Sequence, residues 1–229
     1  MAAAPLHLPE LGADASREYR LGIMGGTFDP IHYGHLVTAE QAREALELDL
    51  VLFMPAGRPA FKLDEDVSDA EDRYAMTILA TAANSAFDAS RFEIDREGVT
   101  YTIDTLRALR EHYPDNVKLF FITGADAILD LATWHDAEGM AKLATFIAAT
   151  RPGYDIDQAR ARLANSGVAF DVRYIEIPAL AISSTNIRER VRRGKSVRYL
   201  TSESVIGYIR KNGLYNRHVI ERVDGAQAH

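Results

Sequence analysis

Arg20-Leu21-Gly22-Ile23-Met24 runs directly into Gly25-Gly26-Thr27-Phe28-Asp29-Pro30-Ile31-His32-Tyr33-Gly34-His35. The first part is a short apolar strand. The paired glycines then let the backbone approach a ligand, because no Cβ intrudes. From Tyr33 to Leu48 the residues Leu36, Ala39, Ala42 and Leu46 fall on one helical stripe. The order is strand, glycine loop, helix. A helix start after such a loop offers free N–H groups and a positive dipole end to phosphate. His32 and His35 stand three apart at that start, so both can face one pocket.

The rest of the chain repeats this rhythm. Strands are expected at Leu50–Met54, Arg91–Ile94, Val117–Thr123, Thr145–Ala149 and Asp171–Ile177. Helices are expected at Asp69–Asn84, Thr102–His112, Ala125–Leu131, Asp136–Leu143, Ile156–Asn165, Ser184–Arg193 and Ser202–Asn212. Continuous apolar strands alternating with helices predict an α/β fold, a doubly wound parallel sheet with helices on both faces. Ligands of such sheets sit at the carboxyl ends of the strands. Function is therefore expected in the loops after residues 24, 54, 94, 123, 149 and 177.

Composition bounds the organisation. The chain has 229 residues, enough for one large domain or one with a small appendage. Residues 1–19 read as a flexible leader, 20–216 as the domain, its C-terminal part helical from about 184, and 217–229 as a loose tail. The net charge of −7 argues against a nucleic-acid partner. With no cysteine, disulfides, cysteine-ligated zinc and thiol catalysis are excluded. The longest run without Asp, Glu, Lys or Arg, Tyr74–Phe87, is 14 residues and carries polar side chains, too short for a membrane span. No signal-peptide pattern opens the chain, and a cytoplasmic location is expected.

Two phosphate-binding patterns are absent from the first loop: neither G-x-G-x-x-G nor G-x-x-x-x-G-K-[ST] is present. The plainest alternative for the loop is a tight turn with Asp29 as helix cap and two surface histidines. A metal held by His32 and His35 is another, but no third ligand stands nearby in sequence. A second anion site is expected in Ile182-Ser183-Ser184-Thr185-Asn186-Ile187-Arg188. Ser183 or Ser184 can cap the next helix, and Arg188, one turn on, can reach the same anion. Most of the other basic residues between Arg190 and Arg198 read as a solvated face.

His32-Tyr33-Gly34-His35 within GGTFDPIHYGH, together with ISSTNIR near the C-terminus, resembles the HxGH nucleotidyltransferases. Within them the likeness is greatest to the bacterial nicotinate mononucleotide adenylyltransferases, over about residues 20–216. The resemblance implies a Rossmann-like fold and transfer of an adenylyl group from ATP to nicotinate mononucleotide. It implies Mg²⁺ held mainly by phosphates and water, with no dedicated protein ligand set. It implies His32, His35 and Arg188 as the catalytic residues. Gly25, Gly26, Thr27, Phe28, Gly124, Asp126, Ser183, Ser184 and Thr185 would contact ATP. Thr27, Lys62, Tyr101, Thr102, Trp134 and Arg151 would contact the mononucleotide. The chain departs from the common Pro-Pro-His-Lys at Pro59-Ala60-Phe61-Lys62.

Read without the resemblance, several of these residues have plainer uses. Lys62 can be solvated, Thr102 a helix cap, Trp134 core, and Arg151 a surface residue. The same chemistry on nicotinamide mononucleotide or phosphopantetheine stays open. So do a non-catalytic nucleotide sensor and a homo-oligomer.

Overall fold

The computed structural model describes residues 8–58 and 67–216. Six strands form one all-parallel sheet: β1 Tyr19–Gly26, β2 Leu50–Pro55, β3 Phe87–Ala89, β4 Val117–Gly124, β5 Thr145–Thr150 and β6 Val172–Glu176. Their spatial order is β3-β2-β1-β4-β5-β6. The order reverses direction between β1 and β4, which opens a crevice at their carboxyl ends. No described helix is long and apolar enough to cross a membrane.

Strand side chains alternate between two cores, as the pleat requires. Leu21, Ile23, Leu52, Met54, Leu119 and Phe121 face one side. There they meet Ile103, Leu106 and Leu109 of α3 (Thr102–His112) and Met140 of α5 (Ala137–Leu143). Met24, Val51, Phe53 and Ile122 face the other side. They pack on Ala39 and Ala42 of α1 (Tyr33–Leu46), Met76 of α2 (Ala70–Thr81), and Val205 and Ile209 of α8 (Glu203–Lys211). Both faces are covered, which is why these strands are apolar throughout. The remaining helices are α4 (Ala125–Ile128), α6 (Ile156–Ala164) and α7 (Ser184–Arg192). The α7–α8 pair adds a small core of its own around Ile187, Val197 and Ile206.

Three expectations need correction. The third strand is Phe87–Ala89, not Arg91–Ile94. Phe87 packs edge-on against Phe53 at 5.1 Å, and Ser90 N–H donates to Phe53 O, which anchors the short segment to β2. Residues 91–95 instead turn back, with Ile94 N–H and Asp95 N–H both donating to Arg91 O.

Residues 8–18, assigned by composition to the leader, are part of the body. Leu8 and Leu11 pack against the core. Tyr113 Oη donates to Pro9 O, and Asn116 Nδ2 donates to the carbonyls of Gly12, Asp14 and Arg17. Apolar contact plus satisfied carbonyls outweighs an Ala- and Pro-rich composition.

Thr102 does not cap α3. Tyr101 holds the cap position in extended backbone, without a side-chain cap bond.

Candidate active site

The loop after β1 is pinned from several directions. Phe28 adopts a left-handed backbone, φ 50°, and buries its ring against His35 and Phe53. Asp29 is buried and is not a helix cap. Its Oδ1 accepts from Tyr215 Oη at 2.7 Å and its Oδ2 from Ser68 N–H at 3.3 Å. His32 takes the cap position of α1 instead.

His32 is 6% exposed, and its ring stacks on that of His35 at 3.7 Å between centroids. His32 N–H donates to His35 Nδ1 at 3.2 Å, so the imidazole proton of a neutral His35 sits on Nε2. Gly34 completes the turn by close approach: a Cβ there would lie 2.9 Å from the His32 ring. Burial pushes His32 down to about 4. His35 is also held well below the ordinary histidine range, by burial first and by His32 second. Both rings are therefore neutral at pH 7 without a ligand, and each keeps one N–H donor.

The C-terminal motif meets this loop. Ser183 Oγ accepts from Asn186 N–H and caps α7. Ser184 Oγ donates to Pro30 O at 2.9 Å, and Arg188 Nη1 donates to Asp29 O at 2.8 Å. Thr185 is exposed on the first turn of α7, with its Oγ1 3.5 Å from Arg188 Nη2. The beginnings of α1 and α7 thus lie side by side, although 150 residues separate them in sequence. His32 Nδ1 and Arg188 Nε, like Arg96 Nη1 and Tyr174 Oη elsewhere, are buried without a hydrogen bond of good geometry among the described residues. Ordered water or a bound ion commonly satisfies such groups.

A cleft of about 320 Å³ opens beside them. His32, Gly34, His35 and Thr38 line one wall, and Gly124, Asp126, Arg151 and Tyr154 line another. Tyr154 is held in place by donating its hydroxyl proton to Ala125 O at 3.0 Å.

The structure brings part of the expected set together. His32, His35, Gly124, Asp126 and Arg151 share the cleft, while Ser184 and Arg188 do not line it but bond to Pro30 and Asp29 of the first loop. Gly25 and Gly26 end β1, and Thr27 follows them. Tyr101 and Trp134 do not line the cleft: Tyr101 lies 4.7 Å from His135, and Trp134 meets Phe121 edge-on at 6.1 Å. Thr102, next to Tyr101, opens α3. Lys62 lies outside the described residues.

Sequence reasoning passed over Arg73 and Tyr215. Arg73 belongs to no motif, yet it is 1% exposed. The one trace in the sequence is that it stands at the edge of the longest uncharged run, Tyr74–Phe87.

Residues 23–190 match the model of the cytidylyltransferase-like family. The chain belongs to that family. Among its relatives, the probable nicotinate-nucleotide adenylyltransferase of Moorella thermoacetica is 53% identical over 213 residues, 92% of this chain and 96% of that protein. A protein of the same description from Corynebacterium kroppenstedtii is 52% identical over 86% of this chain and 90% of its own length. Among solved structures, the Plasmodium falciparum nicotinic acid mononucleotide adenylyltransferase complexed with NaAD superposes with a TM-score of 0.70 at 22% identity. That match covers 86% of this chain and 98% of the other, and it places the cytidylyltransferase-like chain in the same Rossmann-like nucleotidyltransferase fold.

Proposed function

We propose that the protein transfers the adenylyl group of ATP to nicotinate mononucleotide, giving nicotinate adenine dinucleotide and pyrophosphate in NAD biosynthesis. The observation that carries this reading is the meeting of the two helix beginnings: Ser184 and Arg188 of α7 bond to Pro30 and Asp29, in the same loop that brings His32 and His35 into the cleft. The names of relatives with more than 50% identity support the same reaction.

A phosphate oxygen of the mononucleotide attacks the α-phosphorus of ATP. A new P–O bond forms, the bond from the α-phosphorus to the bridging oxygen breaks, and pyrophosphate leaves with that electron pair. The attacking phosphate is mostly dianionic at neutral pH, since its second pKa is about 6. No general base is required. Catalysis is positioning plus charge stabilisation. His32, His35 and Arg188 would donate to the reacting phosphates. The N–H groups at the starts of α1 and α7, with Ser183, Ser184 and Thr185, would hold the triphosphate. Gly124 and Asp126 would face the nucleoside. Tyr101, Thr102 and Trp134 would receive the pyridine ring, and Arg151 and Lys62 would contact the mononucleotide.

The residues present fit a Mg²⁺ carried in on the triphosphate. No cluster of three potential metal ligands occurs among the described residues, and Asp126 is the carboxylate that lines the cleft. Asp126 would hold the hydrated ion through water. When bound, the ion supplies neutralisation of phosphate charge.

The test is pyrophosphate release from ATP with nicotinate mononucleotide, nicotinamide mononucleotide or phosphopantetheine, and with no acceptor. Release is expected to be fastest with nicotinate mononucleotide. A preference for another acceptor would overturn the substrate assignment. ATP binding without release under any condition would make the protein a sensor.

A further inference from the structure

Arg73 sits in the first turn of α2 and is 1% exposed, the largest of the fully buried side chains. A buried guanidinium is costly unless its donors are used. Here they are spent on backbone carbonyls. Nη1 donates to Thr27 O at 2.8 Å and to Ala56 O at 2.7 Å. Nη2 donates to Gly57 O at 3.0 Å, and Nε to Ser68 O at 2.9 Å. Three separate pieces of chain hang on this one planar group: the glycine loop after β1, the segment after β2, and the residue before the α2 cap.

The segment after β2 is tight enough to be sensitive to its tether. A Cβ on Gly57 would lie 2.2 Å from Glu93 O, so its backbone is pressed against the turn after β3. Burial holds the Arg73 guanidinium below the ordinary arginine range, and Asp29 and Asp69 offset part of that cost. In a trans peptide the C=O and the following N–H point in opposite directions. With the carbonyls of Thr27, Ala56 and Gly57 turned to Arg73, the N–H groups of Phe28, Gly57 and Arg58 face away from it.

We propose that Arg73 is a positioning residue that sets the first loop and the segment after β2 as one unit, so that the loop assigned to ATP and the chain leading toward Lys62, assigned to the acceptor, are ordered together. This rests on the adenylyl-transfer reading. A planar fork is needed for the task, because four carbonyls lie in fixed directions around it. Lysine keeps the charge but presents one tetrahedral nitrogen.

The experiment compares R73K and R73M with the wild-type chain in the pyrophosphate-release assay, with KM for ATP and for nicotinate mononucleotide measured separately and the folded fraction measured by circular dichroism. In R73K, KM for both substrates is expected to rise about tenfold or more and kcat to fall about tenfold to a hundredfold per folded molecule, since small misplacements cost about that much. R73K with wild-type kcat and both KM values unchanged would overturn the proposal. So would a rise confined to one substrate. If the variants do not fold, hydrogen exchange on the wild-type chain decides: a non-hydrolysable ATP analogue alone is expected to protect residues 56–58 as well as 26–28, and protection confined to 26–28 would overturn the proposal. Absence of pyrophosphate release from the wild-type chain would sink the adenylyl-transfer reading instead, and the two failures are distinct.

Discussion

His32 and His35 lie ring on ring, 20° from parallel, and His32 N–H donates to His35 Nδ1. The pair is a fixed unit at the start of α1, not two independent side chains. Its fixed geometry lets two neutral imidazoles act as donors without reorganising when charge develops nearby.

His32→Ala and His35→Ala are therefore expected to lower kcat by about 10² to 10³ with much smaller changes in KM. Steady-state kinetics with ATP and nicotinate mononucleotide check this. Near-normal turnover in both variants would remove them from the reaction.

The same burial makes a spectroscopic prediction. In the ligand-free protein the His32 ring is expected to titrate near pH 4, not near 6.5. The neutral form is favoured on folding, so this group's contribution to stability is complete above pH 6.5 and is lost as pH falls through about 4. Binding a triphosphate should raise the midpoint, because the anion favours the imidazolium. Imidazole ¹⁵N shifts recorded with and without an ATP analogue would show both effects. A midpoint near 6.5 in the free protein would contradict the burial argument.

Glu93 acts with the opposite sign. It is buried, accepts from Thr105 Oγ1 at 2.5 Å, and is pushed up to about 7 by burial. Its proton is held more tightly in the folded state, so its contribution to stability is present below about 4.5 and is lost as pH rises through about 7. Glu93→Gln keeps an acceptor for Thr105 without the charge. It is expected to be more stable than the parent at pH 8, by about 1–3 kcal/mol, and to match it near pH 4.5. Urea unfolding at the two pH values measures the difference. Equal curves at both would show that Glu93 is not shielded from water.

Gly34→Ala separates activity from stability. Alanine is the better helix residue by about 1 kcal/mol, while its Cβ would press on the His32 ring at 2.9 Å, a strain of about 1–3 kcal/mol. The net change in stability is expected to be small. Turnover is expected to fall about tenfold or more, because the ring must shift. Thermal unfolding and kcat measured on one preparation test the split.

Much of this was legible in the residues because it depends on local rules. Val117–Gly124 is apolar over most of its length, and a strand buried on both faces must be. The glycine loop and the Ser183 cap announce themselves by residue type. The third strand did not: Phe87-Asp88-Ala89 is three residues long with an acidic centre at the sheet edge, while Arg91-Phe92-Glu93-Ile94 alternates more like a strand. Only its register against Phe53 decides the matter. Arg73 was illegible for a related reason. Its partners are carbonyls, which carry no sequence signature, and they come from segments that meet only once the sheet has formed.

The bond from Tyr215 to Asp29 has a consequence for synthesis. It joins residues 186 apart, so the loop that opens the domain is supported from the turn that follows α8. During translation the carboxylate in that loop is made 186 residues before the phenol that binds it. A ribosome-bound chain stopped before Tyr215 would keep the α7 bonds to Pro30 and Asp29 O but would leave the buried Asp29 carboxylate without its phenol.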